Sequence, residues 1–451
     1  MDKKYEEFQL GEDERCRFSR DCNKTGLNNN IIGVGGSGSG KTMSLMMPMI
    51  FNLENSNAIV VHTKKGIYEK TKAVLEQKGY NIINIDLNEP ANSAYGYDPL
   101  LQCSSLDDVR DLAHIIAYSE TNKGTLGKDS YWFQSAEGVI NLVLRYVFEG
   151  HYDNGRSMKE ALCLLDNLFY TDDSDLDDPP PTEEDIAKYE EVDALGKKRN
   201  ILLDSEAELK EKYPLHYEMR NWYKYDKKAY AEWKRLIPHT DQTGQCVVSC
   251  TMAPIQTMFG KDMRAIFENE LPQLNVESFL NPKTIAFIYV SPVNMAQHRF
   301  VSIVYKQLFK NLFELGEQQP NGELPYHVHV LCDDFATGCK VADFPELISI
   351  FREKGISATM LVQSETQLTQ MYGRENAQTI INNCDTYVYM GGMDLETANS
   401  ISQRINRPKG EVLNMPLGQE FFFRRGQKPV ITKRYNILRD IKAMEKKTRA
   451  M

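Results

Sequence analysis

IIGVGGSGSGKT, at residues 31–42, joins an apolar segment to a glycine-rich loop that ends in Lys-Thr. The loop fits the pattern G-x-x-x-x-G-K-[ST], and its members are Gly35, Gly36, Ser37, Gly38, Ser39, Gly40, Lys41 and Thr42. Ile31, Ile32 and Val34 predict a strand before the loop, and the run from Met43 to Phe51 predicts a helix after it. Strand, loop and helix in this order are the setting of a phosphate-binding loop.

The pattern has a physical basis in phosphate chemistry. Glycines let consecutive backbone N–H groups turn inward around a β-phosphate at the N-terminus of the helix. Lys41 would reach the β- and γ-phosphate oxygens, and the Thr42 hydroxyl would complete a Mg²⁺ shell. A flexible Gly/Ser linker is the alternative, but such a linker has no reason to follow a strand and to end in Lys-Thr. The sequence therefore predicts that the protein binds a nucleoside triphosphate together with Mg²⁺.

A pair of acids, Asp333 and Asp334, directly follows a second segment that reads as a buried strand, at residues 327–332. An acid at the carboxyl end of a core strand in an α/β sheet lies beside bound phosphates. Asp333 is therefore the candidate for the carboxylate of the Mg²⁺ shell, and Asp334 for the carboxylate that polarises an attacking water. A helix N-cap or a turn is the alternative use of such a pair. The phosphate-binding loop favours the catalytic interpretation.

Two further polar residues lie near the predicted strand at residues 357–362. Gln363 follows this strand, which we expect to neighbour the one that carries Asp333, so its carboxamide could sense a γ-phosphate or a water. A surface position is the ordinary alternative for a lone glutamine at a strand end. Arg352 precedes the same strand and could be offered to a phosphate in a neighbouring subunit. Its alternative is a surface salt bridge with Glu353 or Glu346.

Apolar segments and helical spacing alternate along the chain. Strands are predicted at residues 31–34, 58–62, 81–86, 284–290, 328–333, 357–362 and 386–390, with a closing hairpin at 420–424 and 430–434. Helices are predicted from residues 42 and 67 and at residues 293–315, 344–353 and 395–405. This order predicts an α/β fold with a parallel sheet covered by helices.

Helical spacing without strand signals fills the middle of the chain, at residues 129–149, 158–169 and 206–237. We therefore expect a first part of a nucleotide-binding domain at residues 1–106, an all-α insertion at 107–265 and the second part of the domain at 266–451. Residues 171–193 carry eleven acids and one lysine, which accounts for the net charge of −10, and we expect a solvated loop there. The rest of the chain is about neutral, so the overall charge does not exclude a nucleic-acid partner.

Two basic segments could contact such a partner. Residues 220–235 interleave lysines and arginines with tryptophans and tyrosines, as a strand-binding surface does, although an amphipathic helix that packs its aromatic rings inward explains the same pattern. Residues 424–449 carry ten basic residues against two acids. This tail could contact phosphates or an anionic membrane, or it could be a solvated terminal helix.

The composition of the chain indicates its cellular compartment and which metal sites its cysteines could form. The 451 residues contain no run of about eighteen apolar residues and begin without the apolar core of a signal peptide, so we expect a cytoplasmic protein. Nine cysteines include no C-x-x-C pair, which favours reduced thiols in the core. Cys246 and Cys250 could share a helix face with a metal, but no histidine lies near them.

Two segments closely resemble coupling-protein ATPases of type IV secretion. They are CDDFATGCKVADFPELISIFREKGISATMLVQSETQLTQMYG, at residues 332–373, and INNCDTYVYMGG, at residues 381–392. These ATPases are the TraG/TraD-type motors of conjugative DNA transfer. The resemblance extends over most of the chain. It includes VVHTKKGIYEKTKAVLEQKGYNIINIDL at residues 60–87, Tyr97-Asp98-Pro99-Leu100, and Asp129-Ser130-Tyr131-Trp132-Phe133 at the entry to the all-α part.

The resemblance implies a RecA-like P-loop ATPase core, interrupted by an all-α domain, that binds ATP and Mg²⁺ and translocates DNA. By this resemblance, Lys41 and Thr42 bind the nucleotide and Mg²⁺, and Asp333 and Asp334 are the Walker B acids. Gln363 is the phosphate sensor, and Arg352 is the arginine that acts in a neighbouring subunit. The implied partners are single- or double-stranded DNA, relaxase and relaxosome proteins, and subunits of the secretion channel. The implied assembly is a homohexamer.

Four features depart from the family pattern. Asp334 occupies a position where the family commonly has glutamate, and Thr63-Lys64-Lys65-Gly66 occupies a position where it often has Asp-Pro-Lys-Gly. The segment at residues 408–411 is shorter than the corresponding segment of the family pattern. The usual transmembrane pair is missing, so peripheral attachment to the inner face of the plasma membrane through another subunit is the alternative to a freely cytoplasmic protein. These departures also leave open a receptor that binds nucleotide with little hydrolysis. A DNA-pumping ATPase of the FtsK/HerA type is a third alternative, which the insertion argues against.

Overall fold

A computed structural model describes residues 6–119, 130–152, 155–171, 173–176, 178–192, 198–237, 241–267, 271–335, 337 and 340–441. Asp129 and the basic tail beyond residue 441 lie outside these residues, so the roles predicted for them stay predictions. The strands are β1 (Glu7–Gln9), β2 (Arg17–Ser19), β3 (Ile31–Val34), β4 (Asn57–His62), β5 (Asn81–Asp86), β6 (Glu190–Val192), β7 (Lys198–Asn200), β8 (Thr284–Tyr289), β9 (Val328–Cys332), β10 (Ile356–Val362), β11 (Thr386–Tyr389), β12 (Gln419–Arg424) and β13 (Val430–Lys433).

The α-helices follow the same chain order. They are α1 (Cys22–Thr25), α2 (Met47–Phe51), α3 (Gly66–Gln77), α4 (Leu106–Ala117), α5 (Ser130–Phe148), α6 (Met158–Leu165), α7 (Glu183–Lys188), α8 (Ile201–Lys212), α9 (Pro214–Asn221), α10 (Lys227–Leu236), α11 (Asp241–Met258), α12 (Met295–Glu317), α13 (Phe344–Ile350), α14 (Glu365–Tyr372), α15 (Arg374–Asn382), α16 (Leu395–Ile405) and α17 (Lys409–Leu413). In the described parts of the chain, no helix is both long and apolar enough to span a bilayer.

The chain forms two compact units. The first contains Met1–Tyr97 and Leu271–Met451, and the second contains Asp98–Glu270. The boundaries expected from sequence, 106/107 and 265/266, fall at the first residue of α4 and within a 3₁₀ turn at Met263–Phe267.

A nine-stranded sheet forms the centre of the first unit, with the strand order β13-β12-β11-β3-β10-β9-β4-β8-β5. All neighbours from β11 to β5 run parallel, and β12 and β13 add an antiparallel edge. The strand before the phosphate-binding loop therefore lies between β10 and β11, and β10 separates it from the strand that ends in the acid pair. The predicted α/β fold with a RecA-like core is confirmed.

Burial explains why the inner strands read as continuous apolar runs. Every residue of β3, β4, β9, β10 and β11 is buried. Parallel strands are covered by helices on both faces, so their side chains lack the polar alternation of a half-exposed strand. The edge strand β13, in contrast, alternates buried and exposed residues. For this reason the buried positions of the inner strands could be predicted from the sequence.

An N-terminal hairpin, β1 and β2, was missed because both strands are only three residues long. It is fastened to the first unit by buried charges. The Glu6 carboxylate accepts hydrogen bonds from the backbone N–H groups of Glu54, Asn55 and Ser56 at 2.8 Å, and from the Arg20 guanidinium at 2.6 Å. A single carboxylate thereby joins the hairpin to the loop before β4.

The second unit is mostly helical, as expected for an all-α insertion, except for one pair of three-residue strands. Strands β6 and β7 pair antiparallel within it. Within the acidic segment 171–193, where a loop was expected, Glu183–Lys188 form the helix α7. Thr182 caps this helix, and its hydroxyl and the Asp185 carboxylate each bond the other residue's backbone N–H. A capping box of this kind is a local signal that the acidic composition concealed.

The helix predicted at residues 206–237 is three helices and a 3₁₀ turn. Pro214 starts α9, where a missing N–H costs no helical hydrogen bond. Asp226 starts α10, and its carboxylate accepts from the N–H groups of Lys228 and Ala229. These two starts interrupt what the spacing alone indicates as one helix.

The aromatic rings of the basic segment point into the second unit. Trp222 is fully buried, and Tyr230 and Trp233 are buried as well. Tyr225 remains exposed. The inward-packing alternative therefore holds for most of the aromatic residues of this segment, while cations such as Lys228 face solvent.

The cysteines only partly follow the expectation of core thiols. Cys16, Cys103 and Cys332 are buried, but Cys246 is exposed and Cys250 half-buried. Where the structure describes the chain, no group of three or more histidine, cysteine or acidic side chains has the arrangement of a metal site.

Candidate phosphate-binding site

Backbone hydrogen bonds seat the glycine-rich loop between two neighbouring strands. The Gly35 N–H donates to the Val362 carbonyl at the end of β10 (3.1 Å), and the Gly36 N–H donates to the Gly391 carbonyl after β11 (2.8 Å). Gly38 and Gly40 have φ of 73° and 84°, in the left-handed region that glycine tolerates best. The loop therefore needs glycine at these two positions to turn back toward its helix.

The interior of the loop is shaped for a small group with several acceptor oxygens. A Cβ at Gly35 would lie 2.6 Å from the Ser39 Oγ, so only glycine leaves room there. The Ser39 hydroxyl is itself buried, and within the described residues it has no hydrogen-bond partner. A buried donor without a partner is costly, and a phosphate oxygen would satisfy it. The residues present thus fit a phosphate.

Lys41 is buried within the loop. Its ammonium group donates to the carbonyl oxygens of Gly35 and, at 3.2 Å, Gly36. Burial lowers the pKa of Lys41, and the nearby Asp334 and Asp333 carboxylates oppose that shift. The cation is therefore held at the mouth of the loop by groups that phosphate oxygens could replace.

Thr42 and Asp333, predicted to share a Mg²⁺ shell, are in contact. The Thr42 hydroxyl donates to the Asp333 Oδ1 at 3.1 Å. The Asp333 side chain has no exposed surface, and its Oδ2 lies 3.4 Å from the Thr63 hydroxyl and 3.1 Å from the Lys64 Nζ. Carboxylate and hydroxyl oxygens are the ligands that Mg²⁺ prefers, so the residues fit the ion. Their role as its ligands stays a prediction.

Asp334 follows with a backbone φ of 51°, an uncommon value for a residue other than glycine. Its carboxylate accepts a hydrogen bond from the Thr63 hydroxyl at 3.1 Å and is partly exposed. Strained backbone of this kind gathers at functional sites, where it directs a side chain. The two acids thereby face the same space after β9, one buried and one reachable from solvent.

Gln363 and Arg352 lie at opposite ends of β10. Gln363 comes directly after the strand and is exposed. It follows Val362, whose carbonyl accepts the hydrogen bond from the Gly35 N–H. Arg352 precedes the strand, and its guanidinium donates to the Gly26 (3.2 Å) and Cys22 (3.4 Å) carbonyls instead of pairing with a glutamate. Gln363 is therefore beside the loop of its own chain, and Arg352 is at the far edge of the sheet.

Sequence reasoning missed two side chains beside the loop, Lys64 and Arg434, and a buried acid near Arg434. Lys64 contacts Thr42 and Asp333, although the sequence showed it only as a departure from a family pattern. The Arg434 guanidinium lies 3.4 Å from where a Gly40 Cβ would be, and it donates to the Met390 carbonyl at 2.7 Å. Buried Glu420 lies near Arg434, and burial raises its pKa well above the ordinary value, against the opposing effect of that guanidinium. No local motif marks these positions.

Two cavities flank the start of the phosphate-binding helix. One of about 280 Å³ lies on the side of α3 and is lined by Met43, Met47, Lys64, Gly66, Ile67 and Lys70, together with the loop. The other, of about 370 Å³, lies on the side of β13 and is lined by Met43, Ser44, Arg434, Tyr435 and Asn436, among others. Both open beside the loop, so the site offers room for more than a phosphate.

Two family models match the chain. Residues 6–167 match the family described as "Type IV secretory system Conjugative DNA transfer", and residues 327–408 match "TraM recognition site of TraD and TraG". Together they cover more than half of the chain, and they contain the phosphate-binding loop and the acid pair. No curated protein matches the sequence.

Solved structures share the fold. The unbound monoclinic form of the bacterial conjugative coupling protein TrwBdeltaN70 has a TM-score of 0.61 at 14% identity, over 95% of this chain and 88% of that chain. The plasmid coupling protein TrwB in complex with ADP and Mg²⁺ has a TM-score of 0.58 at 14% identity, over 90% and 85% of the two chains. At this identity the likeness concerns architecture alone.

The two family models, which together match more than half of the chain, support one identification. This chain belongs to the family of type IV secretion coupling proteins of conjugative DNA transfer.

Proposed function

We propose that this protein is an ATP-hydrolysing coupling protein that recruits a relaxase–DNA substrate and drives DNA into a type IV secretion channel. The observation that carries the proposal is the contact of Thr42 with Asp333 beside a loop whose Ser39 hydroxyl is buried without a partner among the described residues. It joins a phosphate cradle to a buried carboxylate in one site. The family match supplies the biological setting.

ATP would be held by residues 35–42, with the ammonium of Lys41 on its phosphate oxygens. Thr42 and Asp333 would hold Mg²⁺, which neutralises phosphate charge when bound. Support comes from TrwB, which has been solved with the non-hydrolysable ATP analogue ADPNP and with ADP and Mg²⁺. The cavity beside Arg434 and Tyr435 offers space for the rest of the nucleotide.

Asp334 is the residue that we propose to orient the attacking water. Its left-handed backbone and the hydrogen bond from Thr63 fix the carboxylate beside Asp333, while its partial exposure leaves it reachable by water. Gln363, one strand away toward the loop, would hydrogen-bond the terminal phosphate or that water. Both side chains leave their strands at the same edge of the sheet.

Arg352 suits a role in a neighbouring subunit. It lies at the edge of the sheet opposite to its own loop, so it cannot serve the phosphate of its own chain without rearrangement. A homohexameric ring, with each arginine offered to the next site, would use it. A cytoplasmic position at the inner face of the membrane, next to the channel subunits, follows from the same proposal.

DNA and relaxosome proteins are the proposed macromolecular partners. The match to a "TraM recognition site" covers residues 327–408, which include Asp333, Arg352 and Gln363. A partner that docks on this segment would contact the same elements that hold the acid pair and the sensor. Exposed lysines on α10, such as Lys228, are the candidates for phosphate contacts in the second unit.

The decisive experiment measures ATP turnover and assembly together. Steady-state hydrolysis is recorded for wild type, Lys41→Ala and the matched control Lys65→Ala, with and without single- and double-stranded DNA, beside mass photometry. We expect DNA to raise turnover several-fold, Lys41→Ala to abolish it, Lys65→Ala to preserve it, and a ring to form. DNA-stimulated turnover that survives Lys41→Ala would overturn the proposal.

A nucleotide-regulated receptor is the second candidate. Asp334, shorter than a glutamate, and the Lys64 ammonium beside Asp333 both favour slow hydrolysis. Tight relaxase binding that depends on nucleotide, with negligible turnover in every DNA condition, would favour the receptor over the motor. The FtsK/HerA-type pump is not retained, because the family model that matches residues 6–167 describes conjugative DNA transfer.

A further inference from the structure

The Lys64 ammonium lies between the two groups that would hold a metal ion. Its Nζ is 2.6 Å from the Thr42 Oγ1 and 3.1 Å from the Asp333 Oδ2. The Thr42 hydroxyl donates to the other oxygen of the same carboxylate. Hydroxyl and carboxylate oxygens therefore converge on a positive charge that the protein itself supplies.

Asp333 needs such a charge. A buried carboxylate without a countercharge is costly. In the described part of the chain, the other side chains that hydrogen-bond Asp333 are the hydroxyls of Thr42 and Thr63, and the Lys41 ammonium lies nearby without an ion-pair contact. Among the ion pairs of the described residues, its partner is Lys64. The Lys64 side chain is 55% exposed while that of Asp333 is 0% exposed, so the cation reaches the carboxylate from the solvent side.

We propose that Lys64 is a tethered cation that occupies the metal position between Thr42 and Asp333 until a divalent ion displaces it. The inference rests on the proposed function in that Thr42 and Asp333 are the assumed metal ligands. Its consequence is that the nucleotide-free protein binds divalent ions poorly. Metal then enters the site together with nucleotide, because phosphate oxygens supply the additional ligands.

The surroundings of Lys64 allow this exchange. Its backbone is anchored, since the His62 Nδ1–H donates to the Lys64 carbonyl at 3.1 Å in the turn between β4 and α3. The side chain, in contrast, is exposed and borders the cavity that Ile67 and Lys70 also line. An anchored backbone and an exposed side chain let the ammonium leave Asp333 without unfolding the turn.

Mn²⁺ binding without nucleotide tests the inference directly. Free Mn²⁺ is titrated by electron paramagnetic resonance into wild type, Lys64→Met and the matched control Lys65→Met, whose lysine lies next in the chain, 3.9 Å from Glu89. Removing a competing charge-assisted hydrogen bond should tighten Mn²⁺ binding about tenfold or more in Lys64→Met. Lys65→Met should bind Mn²⁺ as wild type does.

A second variant locates the ion. Asp333→Asn, added to Lys64→Met, should abolish the gain in Mn²⁺ affinity, and Lys64→Gln should reproduce the gain if the methionine variant folds poorly. Equal Mn²⁺ affinity in wild type and Lys64→Met, or a gain that survives Asp333→Asn, would overturn the inference. The titration contains neither ATP nor DNA. Its failure beside intact DNA-stimulated turnover would therefore reject the role of Lys64 and leave the proposed function standing.

Discussion

Gly33→Ala should loosen the helix that carries the phosphate-binding loop. Gly33 lies in the middle of β3 and is buried. A Cβ at this position would lie 2.6 Å from the Leu45 Cδ1 and 2.8 Å from the Leu361 Cδ2. Leu45 belongs to the first, π-helical turn after the loop, and Leu361 belongs to β10. The glycine therefore lets this turn pack directly on the sheet.

The magnitude follows from how far the two leucines can move. The contacts are with the ends of their side chains, which normally yield, but both leucines are fully buried in the core. Adding a methyl group to such a site typically costs about 1–3 kcal/mol. Because each kcal/mol shifts the melting temperature of a domain of about 150–250 residues by roughly 2–4 °C, we expect a loss of several degrees.

Thermal melting and urea titration of wild type and Gly33→Ala provide the assay. Gly410→Ala is the control, because a Cβ there would meet nothing within 4 Å and α17 gains a better helix former. In a double-mutant cycle, Leu45→Ala should relieve part of the cost of Gly33→Ala. A Gly33→Ala protein that melts like wild type, or strict additivity with Leu45→Ala, would refute the packing argument.

Three further predictions concern other parts of the chain. Burial alone would raise the pKa of the Glu6 carboxyl, but the Arg20 guanidinium and backbone N–H groups outweigh it and lower that pKa from 4.5 to about 2. Such a group stabilises the folded protein above the unfolded pKa and loses this effect as the pH falls through the folded pKa. Glu6→Gln should therefore cost about 3 kcal/mol at pH 7, and progressively less between pH 4.5 and 2, in urea unfolding; a cost that does not change with pH would contradict this. Arg352→Ala should keep nucleotide affinity but lower turnover about a thousandfold, whereas Arg425→Ala, which removes another donor to the Gly26 carbonyl, should leave turnover unchanged. Trp222→Ala should destabilise the second unit by about 3–5 kcal/mol in thermal melting, since the ring is fully buried; an unchanged melting temperature with lost DNA binding would instead restore the strand-binding interpretation.

Much of the first unit was predictable because its strands are buried on both faces. The apolar runs that become β3, β9, β10 and β11 were placed to within one residue of their observed bounds. The N-terminal hairpin was not predictable, since three-residue strands have no periodicity and their attachment depends on Glu6 meeting a loop some fifty residues away. In the second unit, helical spacing hid the starts at Pro214 and Asp226 and the pair of short strands.

Some residues of the candidate site were predictable from the sequence and others were not. The glycine-rich loop could be recognised because its residues are contiguous, and Gly38 and Gly40 adopt positive φ where the pattern has glycine. The acid pair was readable because it ends an apolar strand. That Lys64 would meet Asp333 was not readable, since the two residues are far apart in sequence and lie after the neighbouring strands β4 and β9.

The sequence by itself determined the motif, the class of fold and the strand ends that carry the candidate site residues, because these depend on neighbours in the chain and on which residues avoid water. The sequence predicted that β10 neighbours β9, and the structure confirms this pair. The other adjacent strand ends were decided by the tertiary structure. The order β3-β10-β9-β4 brings Thr42, Asp333 and Lys64 to one edge and leaves Arg352 at the other. Strand order is set by the packing of helices on both faces of the whole sheet, and no short segment encodes it.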